Sequence, residues 1–231
     1  IIAEELRAVG IDVNCAPLAD LARPETHPIL RDRCYGETPV AVIGAARAVA
    51  EGLLAGGVLP VLKHIPGHGR ATLDSHLELP VVDAPRAMLE AEDFAAFRGL
   101  ADLPLGMTAH LVYTAIDPDA PATTSPAAIR AIREEIGFDG LLMTDDISME
   151  ALSGDVVARG QAALAAGCDV VLHCNGEMAQ MEALAAALPP MTREADARDA
   201  RAMAARRPPA PVDIAALEAE LDALSRGEAH G

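Results

Sequence analysis

Residues 125–146, SPAAIRAIREEIGFDGLLMTDD, decide the fold. Ser125 is a helix cap residue, and Pro126 occupies the first helical position, where its missing N–H costs nothing. Ile129, Ile132 and Ile136 then recur at intervals of three and four, which puts them on one helix face. Gly137 supplies the stop. A short apolar run follows, Leu141 to Thr144, with no polar alternation, so it reads as a strand buried on both faces. Two aspartates, Asp145 and Asp146, stand at its end. This is one unit of a β/α fold: an amphipathic helix, a tight reversal and a buried strand with a polar tip.

The same rhythm extends in both directions. Helices are expected at 1–9, 39–56, 84–100, 155–167 and 177–188. Strands are expected at 11–17, 58–62, 104–109 and 169–172. With 141–144 these make five short apolar strands, which implies either an open doubly wound sheet or a closed β/α barrel. A barrel of this kind needs eight strands. The sheet is therefore open, or three strands precede residue 1. The chain starts Ile1-Ile2-Ala3-Glu4-Glu5-Leu6, without Met and within the first expected helix, so a missing N-terminal part is expected. Domain boundaries are placed at 1–190 for a partial barrel and 191–231 for a helical tail. Within the tail, residues 192–207 mix acidic and basic residues among alanines and read as a solvated helix. Pro208-Pro209-Ala210-Pro211 breaks it. Asp213 caps a last helix with Ile214, Leu217, Leu221 and Leu224 on one face, expected to pack on the barrel exterior.

Half of the 231 residues are apolar, enough for a sizeable core, yet there is no Trp and there are only two Tyr and three Phe. The net charge of −17 argues against nucleic acid and against anionic membrane surfaces as partners. No apolar run approaches the roughly 20 residues of a membrane helix. The four cysteines, Cys15, Cys34, Cys168 and Cys174, form no CxxC pair and read as buried small residues of a reducing compartment.

Polar residues gather where the strands end, the face on which β/α folds bind and react. Asp20 and Arg31-Asp32-Arg33 follow the first strand. Lys63-His64-Ile65-Pro66-Gly67-His68-Gly69 and then Asp74-Ser75-His76 follow the second. His110 follows the third, Asp145-Asp146 the fourth, and His173 and Asn175 the fifth. The glycines and Pro66 allow a tight turn with close backbone approach to a ligand. A carboxylate two residues before an imidazole can fix its tautomer and stabilise its cation, which suits Asp74 and His76 to proton transfer. Neighbouring strand residues point in opposite directions, so one of Asp145 and Asp146 faces the mouth and the other packs sideways. A carboxylate at the mouth is able to attack an anomeric carbon or to stabilise a positive centre.

KHIPGHG followed by DSH, and then MTDDISME, resembles the bacterial β-N-acetylhexosaminidases of glycoside hydrolase family 3. The likeness runs over roughly residues 1–180, with IDVNCAPLADL, RDRCYGETP, GMTAHLVY and AGCDVVLHCN in the expected order. It implies a (β/α)8 TIM-type barrel, with about five of its eight strands in this chain, plus C-terminal helices. It also implies a retaining, two-step exo-β-N-acetylglucosaminidase acting on peptidoglycan fragments (anhydromuropeptides) in the cytoplasm. Asp145 matches the family nucleophile, His76 its acid/base and Asp74 the dyad partner. Arg33, Lys63 and His64 match residues that hold the terminal N-acetylglucosamine. No metal or other cofactor is implied; the partner is a small carbohydrate, and a monomer is expected. The chain departs from the family pattern at Asp32, Cys34, Ile65 and Thr144, where the family often has Glu, Ser, Phe and Ser. Because five barrel strands leave two open edges, these residues alone are not expected to form a stable enzyme.

Two rival readings remain on the residues. A metal-dependent β/α-barrel hydrolase would draw on His64, His68, His76, His110 and Asp145; against it, His64 and His68 are separated by a Pro-Gly turn and no HExxH is present. A non-catalytic sugar-binding relative would lack the nucleophile or the acid/base, and candidates for both are here.

Overall fold

The computed structural model describes residues 1–209 and 211–227. Ala210, in the expected break, and the last four residues of the expected tail lie outside the described residues. The chain opens with α1 (Ile2–Ala8), β1 (Val13–Asn14), α2 (Pro28–Arg31), α3 (Pro39–Ala55) and β2 (Leu59–Ile65). Then come β3 (Val81–Val82), α4 (86–98), β4 (Leu105–Thr108), β5 (Val112–Tyr113), α5 (126–136) and β6 (Leu141–Asp146). It closes with α6 (Val156–Ala166), β7 (Val170–Leu172), α7 (Met178–Ala187), α8 (Arg193–Ala205) and α9 (Ile214–Ser225). Both α4 and α5 contain a wider π-helical turn, at Leu89–Asp93 and Ala131–Ile136. The unit of residues 125–146 forms as read: Ser125 Oγ accepts from the Ala128 amide, Ile129, Ile132 and Ile136 are buried, and Gly137 leaves the helix at φ 81°.

The five expected strands form one curled parallel sheet in the order β1-β2-β4-β6-β7, half of a barrel wall. Its side chains alternate between two apolar faces. Leu62, Leu142 and Val171 point outward into a core built with Ala46, Ala50, Phe94, Phe97, Ile129, Ile132 and Phe138. Leu59, Val61, Leu105, Met107 and Leu141 point to the other face, against Ala202 of α8. A strand that is apolar on both sides cannot show polar alternation, which is why the runs looked continuous.

Three features were not anticipated: α2, the short turn at Ala122–Thr124, and a second two-stranded parallel sheet, β3 with β5. The first tail helix is exposed over most of its length and packs one narrow side on the sheet. α8 buries Ala195 and Ala202, and arginines on it and just after it bind carboxylates that precede the strands: Arg198 pairs with Asp139 and Asp169, Arg201 with Asp139, and Arg206, the residue after the helix, with Asp12. It therefore crosses the N-terminal ends of the strands, the face opposite the polar rim. Leu217, Leu221 and Leu224 of α9 line an apolar groove with Ile2, Val49 and Leu53. No helix among the described residues is long and apolar enough to cross a membrane.

Candidate active site

The rim at the C-terminal ends of the strands encloses a cavity of about 220 Å³. Arg33, Lys63, His64, Asp74, His76 and Asp145, the six residues singled out in the sequence, all line it. They arrive from four separate segments: the turn after α2, the end of β2, the loop after β2, and the tip of β6.

β2 runs three residues further than expected, so Lys63 and His64 are part of the strand. Lys63 is anchored through its backbone, donating to the Pro17 carbonyl and accepting from the Ala19 amide. Its ammonium has no carboxylate partner among the described residues and is free for a ligand. His64 is buried and its orientation is fixed: Nδ1 lies 2.7 Å from Asp20 Oδ2. Asp20 is fully buried and also accepts from the His64 amide (3.3 Å) and the His68 amide (2.6 Å). Burial by itself would raise the Asp20 carboxyl; the His64 and His68 contacts outweigh it and hold it below its ordinary value. Asp20 was visible in the sequence as a rim residue but carried no role. Its function as the support of the KHIPGHG turn appears only when residues 44 positions apart are brought together.

The glycines of that turn let the chain pass close to other parts of the protein. A Cβ on Gly69 would lie 1.9 Å from the Leu21 carbonyl oxygen, and one on Gly67 would meet Asp93 at 3.0 Å. At Gly69 the close approach is to backbone, and at Gly67 it is to the Asp93 side chain.

At the tip of β6 the two aspartates divide as strand geometry requires. Asp146 packs sideways, accepting from the Ser148 amide and hydroxyl and from the Cys174 amide. Asp145 faces the cavity, with Oδ1 accepting from the Asp146 amide at 2.8 Å. Burial would raise the Asp145 carboxyl, yet it lies below its ordinary value because His64, His110, the Asp146 amide and Lys63 all favour the anion. In the loop after β2, His76 Nδ1 stands 2.7 Å from Asp74 Oδ1, which also accepts from the His76 amide. The imidazole is 55 % exposed, so its Nε2 edge is open to a substrate. These bonds outweigh the opposing effect of burial and hold Asp74 below its ordinary value as well.

The remaining rim residues are engaged elsewhere. His110 is buried between Thr123 Oγ1 (2.7 Å) and the Asp146 carbonyl (3.0 Å), and burial lowers its pKa. His68 contacts Ser75 Oγ, and burial with the nearby His64 charge lowers it to about 4, so it is neutral. His173 and Asn175 both meet Gln180 Oε1 at the start of α7. With donors spent in this way, no three His, Cys, Asp or Glu among the described residues are grouped to hold a metal ion. The cysteines differ from expectation. Cys168 is buried, but Cys34 is half-buried and Cys15 and Cys174 are exposed, the last beside Asp145 on the cavity wall; all four are free.

A curled parallel sheet with carboxylates and cations gathered at its C-terminal rim defines a β/α-barrel domain whose site lies on that face. The chain belongs to glycosyl hydrolase family 3: the model of that family's N-terminal domain matches residues 1–203. Among curated relatives it is 43 % identical over 180 residues to a β-hexosaminidase of Alkalilimnicola ehrlichii, covering 76 % of this chain and 51 % of that one. Among solved structures it resembles a family 3 β-N-acetylglucosaminidase from Paenibacillus sp. FPU-7 (TM-score 0.78, 32 % identity, 92 % of this chain and 44 % of that one). It also resembles NagZ from Neisseria gonorrhoeae bound to N-trifluoroacetyl-D-glucosamine (TM-score 0.77, 33 % identity, 88 % of this chain and 59 % of that one). The chain spans about half the length of the curated relatives it matches.

Proposed function

We propose that this chain carries the reacting groups of a retaining exo-β-N-acetylglucosaminidase that removes terminal β-linked N-acetylglucosamine from peptidoglycan fragments. The observation that carries the reading is that a depressed carboxylate, Asp145, and an imidazole–carboxylate pair, His76 and Asp74, open into one sugar-sized cavity. Asp145 attacks the anomeric carbon as the ionised nucleophile. His76, its tautomer set by Asp74, protonates the departing oxygen and then deprotonates the water that releases the sugar. Most retaining glycosidases assign these tasks to two carboxylates; here an imidazole takes the second. Arg33, Lys63 and His64 donate to the hydroxyls and the N-acetyl group of the bound residue. The reaction needs no metal or other cofactor.

The peptidoglycan aglycone, like the single-chain working form, is carried over from the family resemblance. Four free thiols support action in the reducing cytoplasm. The test is a slow 5-fluorinated N-acetylglucosaminide incubated with the intact protein, followed by peptide mapping. Label on Asp145 is the expected result. Label on another residue, or inversion of configuration at the anomeric carbon, overturns the mechanism.

A further inference from the structure

The residue between Asp74 and His76 is buried although His76 beside it is exposed. Ser75 is 5 % exposed, and its hydroxyl lies 3.1 Å from His68 Nε2. The segment around it folds on itself: the amides of Leu77 and Glu78 both donate to the Asp74 carbonyl. Between residues 72 and 79, among the described residues, two hydrogen bonds reach outside the segment. One is Ser75 with His68; the other runs from the Glu150 amide to the His76 carbonyl at 3.3 Å.

His68 is well placed to hold the loop down. It is 6 % exposed, and its amide gives the 2.6 Å bond to Asp20, the carboxylate that also orients His64. Its Nδ1 is buried with no hydrogen-bond partner among the described residues. A lone pair is less costly to leave unpaired in the interior than an N–H. The proton therefore sits on Nε2 and is donated to Ser75 Oγ. One buried carboxylate, Asp20, is thus linked both to a sugar-facing imidazole and, through His68 and Ser75, to the loop that carries the other imidazole.

We propose that His68 and Ser75 are positioning residues: their hydrogen bond fastens the loop so that Asp74 and His76 are presented over the cavity next to Asp145. The proposal rests on the reading of His76 as acid/base. Both residues reach the cavity wall, but their polar side-chain atoms Nε2 and Oγ are turned to each other, and their role is the placement of the dyad.

The test uses the intact protein and two aryl N-acetyl-β-glucosaminides, with 2,4-dinitrophenol and phenol as leaving groups. Dinitrophenolate departs without a proton, whereas phenol needs one from the acid. Because kcat/KM reports the steps up to the first bond cleavage, it isolates acid assistance from the later base step. Ser75→Ala is expected to lower kcat/KM for the phenyl substrate about tenfold or more while changing the dinitrophenyl value by no more than about twofold, a share of what general acid catalysis supplies. His68→Leu should behave likewise. His68→Gln, which keeps an N–H donor near Nε2, should recover most of the phenyl activity. Equal losses on both substrates, no loss on either, or a His68→Gln as poor as His68→Leu would overturn the proposal. Should His68→Leu fail to fold, the Ser75→Ala ratio decides alone. Asp145→Ala keeps the two levels apart: full activity there removes Asp145 as nucleophile and with it the proposed mechanism, whereas a failed Ser75 result beside an inactive Asp145→Ala removes only the positioning role.

Discussion

His64 Nε2 lies 3.8 Å from a carboxylate oxygen of Asp145. The opposite ring nitrogen is held by Asp20, so the imidazole stands between a structural carboxylate and the one that faces the cavity. That placement makes the Asp145 charge sensitive to His64, and the pH dependence of the intact protein follows from it.

Asp145 lies below the 3.8 of an ordinary aspartate, and after burial His64 is the largest influence on it. In the proposed mechanism protonating Asp145 ends its use as a nucleophile, so the acid limb of kcat/KM is expected below the ordinary aspartate value. Replacing His64 with Gln withdraws a favourable positive charge, which destabilises the carboxylate and raises its pKa. The acid limb should then move to higher pH. A pH–rate profile for both proteins checks this, and an unmoved limb contradicts the coupling.

The two neighbouring aspartates should separate cleanly on substitution. Asp145→Ala is expected to lower kcat on the order of 10⁴-fold with little loss of stability, as removal of a nucleophile does. Asp146→Ala deprives two amides and a hydroxyl of their acceptor and should cost about 1–3 kcal/mol of stability. Denaturant unfolding and aryl-glycoside turnover, measured side by side, distinguish the two.

Asp20→Ala leaves His64 and two amides without their partner, and is expected to destabilise the fold by about 3–5 kcal/mol. The sign with pH follows from the depressed folded-state pKa. The stabilising contribution is fully present above the unfolded value and disappears as pH falls through the folded one. The gap between wild type and Asp20→Ala should therefore narrow below about pH 4, the region of an ordinary aspartate. A gap that widens in acid would mean that Asp20 is not the anionic support of the turn.

Gly69→Ala would put a methyl 1.9 Å from the Leu21 carbonyl oxygen. The obstacle is backbone, so the KHIPGHG turn must move. A loss of about 3 kcal/mol is expected, the upper range for overpacking, with a lower Tm as the readout. An unchanged Tm would show that the two segments part without cost.

Much of the fold was legible because its signals are local. Ser125 and Asp155 cap α5 and α6, Gly137 and Gly167 leave them with positive φ, and the apolar runs that became strands needed no partner to be recognised. The two-residue strands β3 and β5 were not legible: each is too short for a periodic signal, and they pair with each other across some 30 residues. The cysteines misled because their type suggests burial, whereas Cys15 and Cys174 sit at strand tips, where the rim opens. Arg33, Lys63, His64, Asp74, His76 and Asp145 were found in sequence by position at strand ends and by family likeness. Asp20 as a support and the contact of His68 with Ser75 were not, since neither a lone aspartate nor a second imidazole announces what it will touch.

The order of residues alone determined that buried strands alternate with one-sided helices, and hence that polar groups after each strand share a rim. Those choices depend on caps, stops and spacing within about twenty residues of chain. Only the tertiary structure decided that the Asp146 carboxylate is taken up by Ser148 and the Cys174 amide while Asp145 stands beside His64 at the cavity, that Asp20 lies beneath His64, and that α8 closes the far end of the sheet. Each of these turns on the curl and register of parallel strands, whose hydrogen bonds join residues far apart in sequence and form only when the whole sheet packs.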